Sequence, residues 1–483
     1  MSDQIGGFKK KAIAGATILG IKRVVIQVIF TVSNIFLARL LFPTDFGTFA
    51  IVVFVVTLFS FFTDLGLGPA LIQRKAKITD SDLQTVFTFQ ILLSLIMVVI
   101  IFIGARLFSN YFQIGDKGAN LLRIYSFYLF LLPFRSTSGV LLERFLLYNK
   151  ITIVEVVENV LTAVLTLFFV VFHLGVSSFV YGWLIGYSVG AILYFVFAPW
   201  KIRLNFKKEI FLNLSRFGLP FQLNSILGLF YGPFILLYLG KTVGPQNLGY
   251  FQWAAGFAVF PTVVADIINR ITFPLGARVQ SDNLAFRKVI EKSVMIVSAS
   301  SLPIAGFMIV AAPLVINFVY TDRWLPALPA VYLGVFQSVI ISQTGVFSQL
   351  LYSRGKANVM RNMGIFWAVT AWILAPILIS RFNFVGMSMT LLILSGSGIW
   401  LIFRLKREVN FSWFSNFFPY LIGSVFSSLV FFVAIRFFPV SILNLIIVLS
   451  LSFTVYGCFL LITSRAVIFE ICKSLLFSLK NTK

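Results

Sequence analysis

Long apolar runs constrain this chain more than any other feature. About fourteen of them, most near 20 residues long, match the length a helix needs to cross roughly 30 Å of hydrocarbon. They lie near 15–38, 46–66, 83–108, 121–142, 153–174, 176–198, 212–239, 247–274, 290–319, 327–351, 362–380, 384–403, 417–437 and 441–462. Backbone amides in lipid have no water to bond, and these runs lack the two-residue alternation of a barrel strand, so each span is expected to be helical. The expected fold is an all-α integral membrane protein. Composition agrees: 59% of residues are apolar and 11% charged, and a soluble core of 483 residues has no use for 57 phenylalanines. The basic start MSDQIGGFKKKAIAG leads into an apolar run too long for a signal peptide and reads as a retained first helix.

The basic residues orient the spans. With a cytoplasmic N-terminus, about two-thirds of the 39 Lys and Arg residues fall in cytoplasmic segments, from Lys9, Lys10 and Lys11 through Arg74, Lys201, Arg354 and Arg407 to Lys483. Far fewer, Arg39, Arg106, Lys117, Lys241, Arg323, Arg381 and Arg436, fall opposite. Both termini are therefore expected in the cytoplasm, and the net charge of +23 is mostly a topology signal and an attraction to membrane lipids with anionic heads. No nucleic acid is expected as a partner, because the basic residues are spread over short loops with no binding module between them. Cys458 and Cys472 lie in or after the last span on the reducing side, where no disulfide is expected. A lone His173 excludes a His-built metal centre, and no cofactor is expected.

A repeat divides the spans. Pro43, Gly47, Asp64 and Asp80 recur as Pro245, Gly249, Asp266 and Asp282, each 202 positions later, and FLLYNK in the first half is echoed by QLLYSRGK in the second. The expected organisation is an N-terminal lobe of six spans over 1–205 and a second lobe of six over 206–410. Two further spans and a basic tail occupy 411–483. Six is even, so the copies share one orientation, and parallel repeats of this kind place a substrate site between lobes. In the tail, Val467, Ile468, Ile471, Leu475 and Leu479 share a face that reads as an interfacial helix.

The first copy carries a resemblance. LARLLFPTDFG, then DLGLGPALIQRK after one span, then the acidic DSDLQTVF opening the third, resembles the polysaccharide-transport branch of the multidrug/oligosaccharidyl-lipid/polysaccharide exporters, which includes O-antigen, capsule and teichuronic-acid repeat-unit flippases. Span count, lobe layout and length resemble that branch throughout, and sharp motifs do so over 37–90. The resemblance implies a flippase of the bacterial cytoplasmic membrane, moving an undecaprenyl-diphosphate-linked oligosaccharide by alternating access and breaking no covalent bond. It also admits a polysaccharide polymerase and chain-length machinery as partners. Sodium-binding relatives that carry lipid-linked precursors use acids in the second lobe; spans seven, eleven and twelve here hold none, which speaks against that coupling. Two alternatives stay open. A MATE-like drug or cation antiporter calls for buried acids, and a membrane glycan polymerase or glycosyltransferase calls for catalytic groups in a sizeable loop. The motif itself reads as architecture: Pro43 and Gly47 shape the outer turn, and Asp64 to Pro69 ends span two.

An anionic lipid-linked sugar requires cations within apolar walls. An Arg at the bilayer centre costs about 2.5 to 3.5 kcal/mol on insertion scales, so it tends to face water, a partner or a ligand. Lys22, Arg23, Arg123, Arg135, Arg216 and Arg270 fall within spans. Arg135, beside Pro133, is the deepest, and either lines the substrate path or pairs with a neighbouring helix. Arg23, Gln27 and Asn34 share a helical face that suits a wet cavity wall, unless the span starts at Val24 and Arg23 snorkels. Arg216 occupies the matching early position of span seven, with Gln222 and Asn224 beyond it, and two such cations would suit diphosphate capture. Arg270, four residues from Asp266, is either half of an internal pair or a gate contact. Gln337, Thr344 and Ser348 share a face of span ten. Glu155 and Glu158 read better as acids at a helix start, with Thr152 to Glu155 as a capping box, than as proton carriers. The expected substrate-binding set is Arg135, Arg23, Arg216, Gln27, Asn34 and Arg270, with no catalytic residue and no metal ligand. The charge distribution makes a prediction: a fluorescent protein fused after Lys483 should glow and alkaline phosphatase fused there should be silent, the reverse pair overturning the orientation.

Overall fold

The computed structural model describes residues 25–439 and 441–480, apart from the side chains of 223–228, 231, 442 and 464–480. The described chain is helical with short connections, the form in which lipid leaves no amide unpaired. Its first half comprises α1 (Val25–Leu40), α2 (Pro43–Asp64), α3 (Leu67–Gln73), α4 (Asp80–Phe112), α5 (Gly115–Arg144), α6 (Tyr148–Val171) and α7 (Ser177–Phe197). There follow α8 (Lys208–Tyr231), α9 (Pro233–Ala258), α10 (Thr262–Arg278), α11 (Asn283–Val319), α12 (Leu328–Ser353), α13 (Ala357–Phe382), α14 (Phe384–Ser397), α15 (Trp400–Lys406), α16 (Trp413–Ala434) and α17 (Ile442–Lys480). Among the described residues 10 helices are long and apolar enough to cross a membrane, or 11 when the bent pair α9 and α10 counts as one. The chain is a multi-pass membrane protein. Helices α5 and α8 are long enough as well, at 30 and 24 residues, with Arg123 and Arg135 inside one and Arg216 inside the other.

The chain divides into two compact units, Met1–Trp253 with Gly364–Thr390, and Ala254–Met363 with Leu391–Lys483. The first unit contains both copies of the Pro-x3-Gly motif, and they touch each other. A Cβ on Gly47 would fall 1.7 Å from the Pro245 carbonyl oxygen, and one on Gly249 would fall 1.8 Å from that of Pro43. The contact is reciprocal, each glycine lying on the proline carbonyl of the other copy. Gly244, with φ 79°, turns the chain into the second copy as the break after Leu40 does into the first. A duplicated motif has thus become its own partner.

At the other end of α2 the chain turns through Leu65 and Gly66, both left-handed, into α3. Asp64 accepts hydrogen bonds from the Gly68 backbone N–H and from Gln90. Arg144 closes the far end of α3, its Nη1 donating to the carbonyls of Leu71 (2.8 Å) and Arg74 (2.7 Å) and its Nη2 to that of Ala76 (2.7 Å). Guanidinium at a helix C-terminus satisfies carbonyls that lipid cannot. A capping box forms at the start of α4, where the Thr79 N–H donates to Asp82 Oδ2 at 2.9 Å and the Asp82 N–H to Thr79 Oγ1 at 3.3 Å. The one expected at Thr152 is not there: α6 begins at Tyr148 behind Leu147, which puts Glu155 and Glu158 well inside the helix. After α7 the basic linker runs along α4, held by Gln84 Nε2 to the Lys201 carbonyl (3.2 Å) and by Thr88 Oγ1 accepting from the Asn205 N–H (2.9 Å). Trp200 packs on Phe87 there, ring centroids 4.9 Å apart.

In the second unit α11 packs against α10, α12 and α16. Gly306 lets the hydroxyls of Ser424 and Ser428 approach α11, and Ser424 donates to the Leu302 carbonyl at 2.7 Å. Thr344 and Ser348 hydrogen-bond their own helix, at the carbonyls of Ile340 and Thr344, both at 3.0 Å. Glu408 gathers Arg404 (2.9 Å), Lys356 (3.4 Å) and Arg354 (3.5 Å). An apolar groove of about 520 Å³ opens between α11, α12 and α16, lined by Leu302, Val339, Leu421 and Phe432 among others. Helix α17 continues without a turn from Ile442 to Lys480, where a separate interfacial helix was expected; the apolar face from Val467 to Leu479 lies outside the described side chains.

The reciprocal glycine contact generates a test. Gly47→Ala or Gly249→Ala forces backbone apart, an overpacking typically worth about 1–3 kcal/mol. Thermal melts in detergent should place both variants below wild type, whereas Gly256→Ala, with nothing within 4 Å, should melt as wild type.

Candidate functional site

The site begins with a ladder of small residues. Gly182, Gly186 and Gly190 recur every fourth position on α7, opposite Thr166, Thr162 and Glu158, which recur every fourth on α6. Cβ atoms on those glycines would fall 2.1 Å from Thr166 Oγ1, 2.1 Å from Thr162 Oγ1 and 2.5 Å from Glu158 Oε2. Close helix approach through small residues is the usual means of packing spans in lipid, where apolar burial drives nothing. Here the last rung leaves room for a carboxylate.

Glu158 meets Arg135 of α5. Arg135 Nη1 donates to Oε1 at 2.8 Å and to Oε2 at 2.7 Å, with the two side chains 21% and 16% exposed. The guanidinium lies over the rings of Tyr187 (4.6 Å) and Tyr194 (4.9 Å), both on α7. Cation–π contact of this kind gives the guanidinium a second hold beside its anion. Tyr128 packs on Tyr187, centroids 4.4 Å apart. The pair opens into a cavity of about 410 Å³ lined by Phe30, Tyr128, Arg135, Glu158, Asn159, Thr162, Trp183 and Tyr187. A second cavity of about 270 Å³ shares Phe30, Thr162 and Trp183 with the first and adds Ser33, Asn34 and Gln252. The arrangement offers one cation, one carboxylate, neutral amides and hydroxyls, and aromatic faces. It suits a ligand with an anionic group and sugar hydroxyls.

The structure places two of the six expected residues at these neighbouring cavities, Arg135 in the wall of the first and Asn34 in the wall of the second. Gln27 is half-buried on α1 and lines neither; its carbonyl accepts from Thr31. Arg216 is exposed on α8 and also lines neither, while its neighbour Gln222 donates to the Phe61 carbonyl at 2.7 Å. Arg270 is exposed on α10, one turn from Asp266. Arg23 and Lys22 precede the described residues, and the side chain of Asn224 is outside them. Arg123 serves structure, donating to Asn120 Oδ1 at 3.0 Å over the Phe102 ring. Glu158, read from sequence as a capping acid, is the partner of Arg135. The missed signal is the glycine spacing in YGWLIGYSVG facing a Glu-x3-Thr-x3-Thr run, with Tyr187 and Tyr194 seven apart on one helical face.

An all-helical chain of many spans with a charged, aromatic cavity inside its helices has the form of a membrane transporter. The chain matches the profile of polysaccharide biosynthesis proteins over residues 36–329, and it belongs to that family. It is 23% identical over 362 residues to the lipopolysaccharide biosynthesis protein WzxC of Escherichia coli strain K12, covering 74% of this chain and 73% of that one. It is 22% identical over 299 residues to the teichuronic acid biosynthesis protein TuaB of Bacillus subtilis strain 168, 61% of either chain. In structure it resembles the lipid II flippase MurJ in an inward closed conformation, with a TM-score of 0.75 and 15% identity over 94% of this chain and all (100%) of that one. The fold is therefore that of this transporter class, as the motifs of residues 37–90 implied.

The ion pair predicts its own double-mutant cycle. Arg135→Ala or Glu158→Ala alone leaves a buried charge uncompensated, at about 3–5 kcal/mol, while replacing both by apolar residues recovers most of that loss. Thermal unfolding of Arg135→Met, Glu158→Leu and the double variant checks it; additive losses would mean the pair is not coupled.

Proposed function

We propose that this protein is a flippase of the bacterial cytoplasmic membrane that carries an undecaprenyl-diphosphate-linked oligosaccharide repeat unit from the inner to the outer leaflet. Arg135 is the observation that carries this reading: a cation held inside the spans by two tyrosine rings, facing a cavity with amides and hydroxyls, in a chain of the polysaccharide biosynthesis family. The names of WzxC, TuaB and MurJ support the same chemistry, since each works on, or in the making of, a saccharide polymer or its lipid-linked precursor. Arg135 meets phosphate, and Asn34, Asn159 and Thr162 meet sugar hydroxyls. The reaction is movement, with no bond made or broken, so the chain needs no nucleophile and is not an enzyme.

The lobes 1–205 and 206–410 alternate in exposing the cavity, with both termini in the cytoplasm as the basic residues favour. Arg23 and Arg216 guide the diphosphate at the cytoplasmic mouth, Gln27 extends the wall that Asn34 begins, and Arg270 serves the second lobe. The isoprenoid chain stays in the bilayer. A polymerase and chain-length machinery receive the unit outside.

Cells lacking the protein should accumulate lipid-linked glycan on the cytoplasmic leaflet. Arg135→Ala at equal membrane levels should strand most of it and Arg135→Lys less. If loss of the whole protein strands nothing, the flippase reading fails; if the stranded intermediates are unextended, an enzyme of glycan assembly takes its place.

A further inference from the structure

Resting on that reading, we infer that Glu158 is a competing internal anion: it holds the Arg135 guanidinium in this conformation and yields it to the phosphate of the substrate, so that its charge limits how tightly the head group is held. Several features of the pair point this way. Glu158 places both of its oxygens on the single nitrogen Nη1, at 2.8 and 2.7 Å, instead of matching the two-pronged edge of the guanidinium. Arg binds carboxylate or phosphate most strongly through two parallel N–H donors, so the contact seen is the weaker of its options. The guanidinium also lies against the rings of Tyr187 and Tyr194, so release of the carboxylate need not release the arginine. Both partners face a cavity large enough for a phosphate group, and Asn159 and Thr162 stand beside Glu158 in its wall as neutral polar neighbours.

The charges set the direction of the exchange. A diphosphate carries more negative charge than one carboxylate and presents oxygens to two donors at once, so it wins the guanidinium. Displaced Glu158 then stands near that added charge with its own charge uncompensated, because it lines the same cavity that the phosphate enters. Repulsion between the two anions weakens the bound state. A carrier needs that weakness, since a substrate held too firmly does not leave on the far side. Glu158 is thus a positioning and release residue, and Arg135 the one that touches phosphate.

The test uses the full-length protein in nanodiscs, with farnesyl diphosphate as the probe and inorganic pyrophosphate and farnesol as comparisons. Glu158→Gln keeps the shape and removes the charge; it should bind farnesyl diphosphate about tenfold more tightly than wild type and clear lipid-linked glycan more slowly in cells. Glu158→Asp keeps the charge but retracts it by one methylene, and should bind with intermediate affinity, which guards against a misfolded Gln variant. A purely structural role for Glu158 would lower affinity or leave it alone, and either result overturns the inference. Tightening seen with pyrophosphate as well supports it for phosphate from any source; tightening for farnesyl diphosphate alone supports it for a lipid-borne head group. Equal tightening for farnesol overturns it, because the chain and not the phosphate would then be read. Arg135→Gln separates the two readings. If it abolishes binding while Glu158→Gln fails to tighten it, only the competing-anion inference falls; if it binds as wild type, the head-group site falls with it.

Discussion

Lipid offers no hydrogen bond, and nearly every feature of this structure follows from that one deficit. The backbone answers with helices joined by short turns. Serines and threonines within the spans answer by bonding the carbonyl a turn behind them, as Thr137 does at Pro133 (2.9 Å) and Thr272 at Ile268 (2.8 Å). Where α3 ends, a guanidinium takes three carbonyls. A charge inside the spans has fewer remedies, and Arg135 uses most of them: a carboxylate, two aromatic faces and a cavity.

The same deficit explains the glycines. Because apolar burial does not drive helix against helix in a bilayer, closeness must come from small residues that let backbones meet. At Gly47 and Gly249 the two copies of a duplicated motif meet carbonyl to Cα, and neither copy tolerates a Cβ there. A sequence that keeps Pro-x3-Gly in both halves is keeping one contact, since altering either copy spoils the surface the other requires. On α7 the same device is turned to chemistry, for the rung at Gly190 makes space for the carboxylate that holds Arg135.

The spans were readable because runs of about 20 apolar residues admit few structures in a membrane. Arg135 was readable for the converse reason: a cation deep in such a run needs an explanation, and depth alone ranked it above Arg123 and Arg216. Its partner was not. Thr152 and Glu155 imitate a capping box, and the real start of α6 at Tyr148 carries no capping side chain to announce it, so Glu158 was misread by one boundary. The repeat was visible as an offset of 202 residues, yet nothing in an offset says that the copies touch. Tyr187 and Tyr194 were hidden among 15 tyrosines until the face they share with Gly190 had a charge to serve.

Stability and transport make opposite demands on a buried ion pair. A purely structural pair is best when both prongs of the guanidinium are matched and all remaining donors are filled, because each unmatched group in low dielectric is costly. A pair that opens for a ligand must stay below that optimum while keeping its cation aimed. On the exchange proposed above, Arg135 and Glu158 divide these demands among different neighbours: the tyrosines supply aromatic faces, Gly190 supplies room, and the carboxylate supplies a charge that a better anion can replace. An arginine paired this way remains compatible with the membrane whether or not a head group is bound, which is the condition a carrier must meet in every conformation through which it passes.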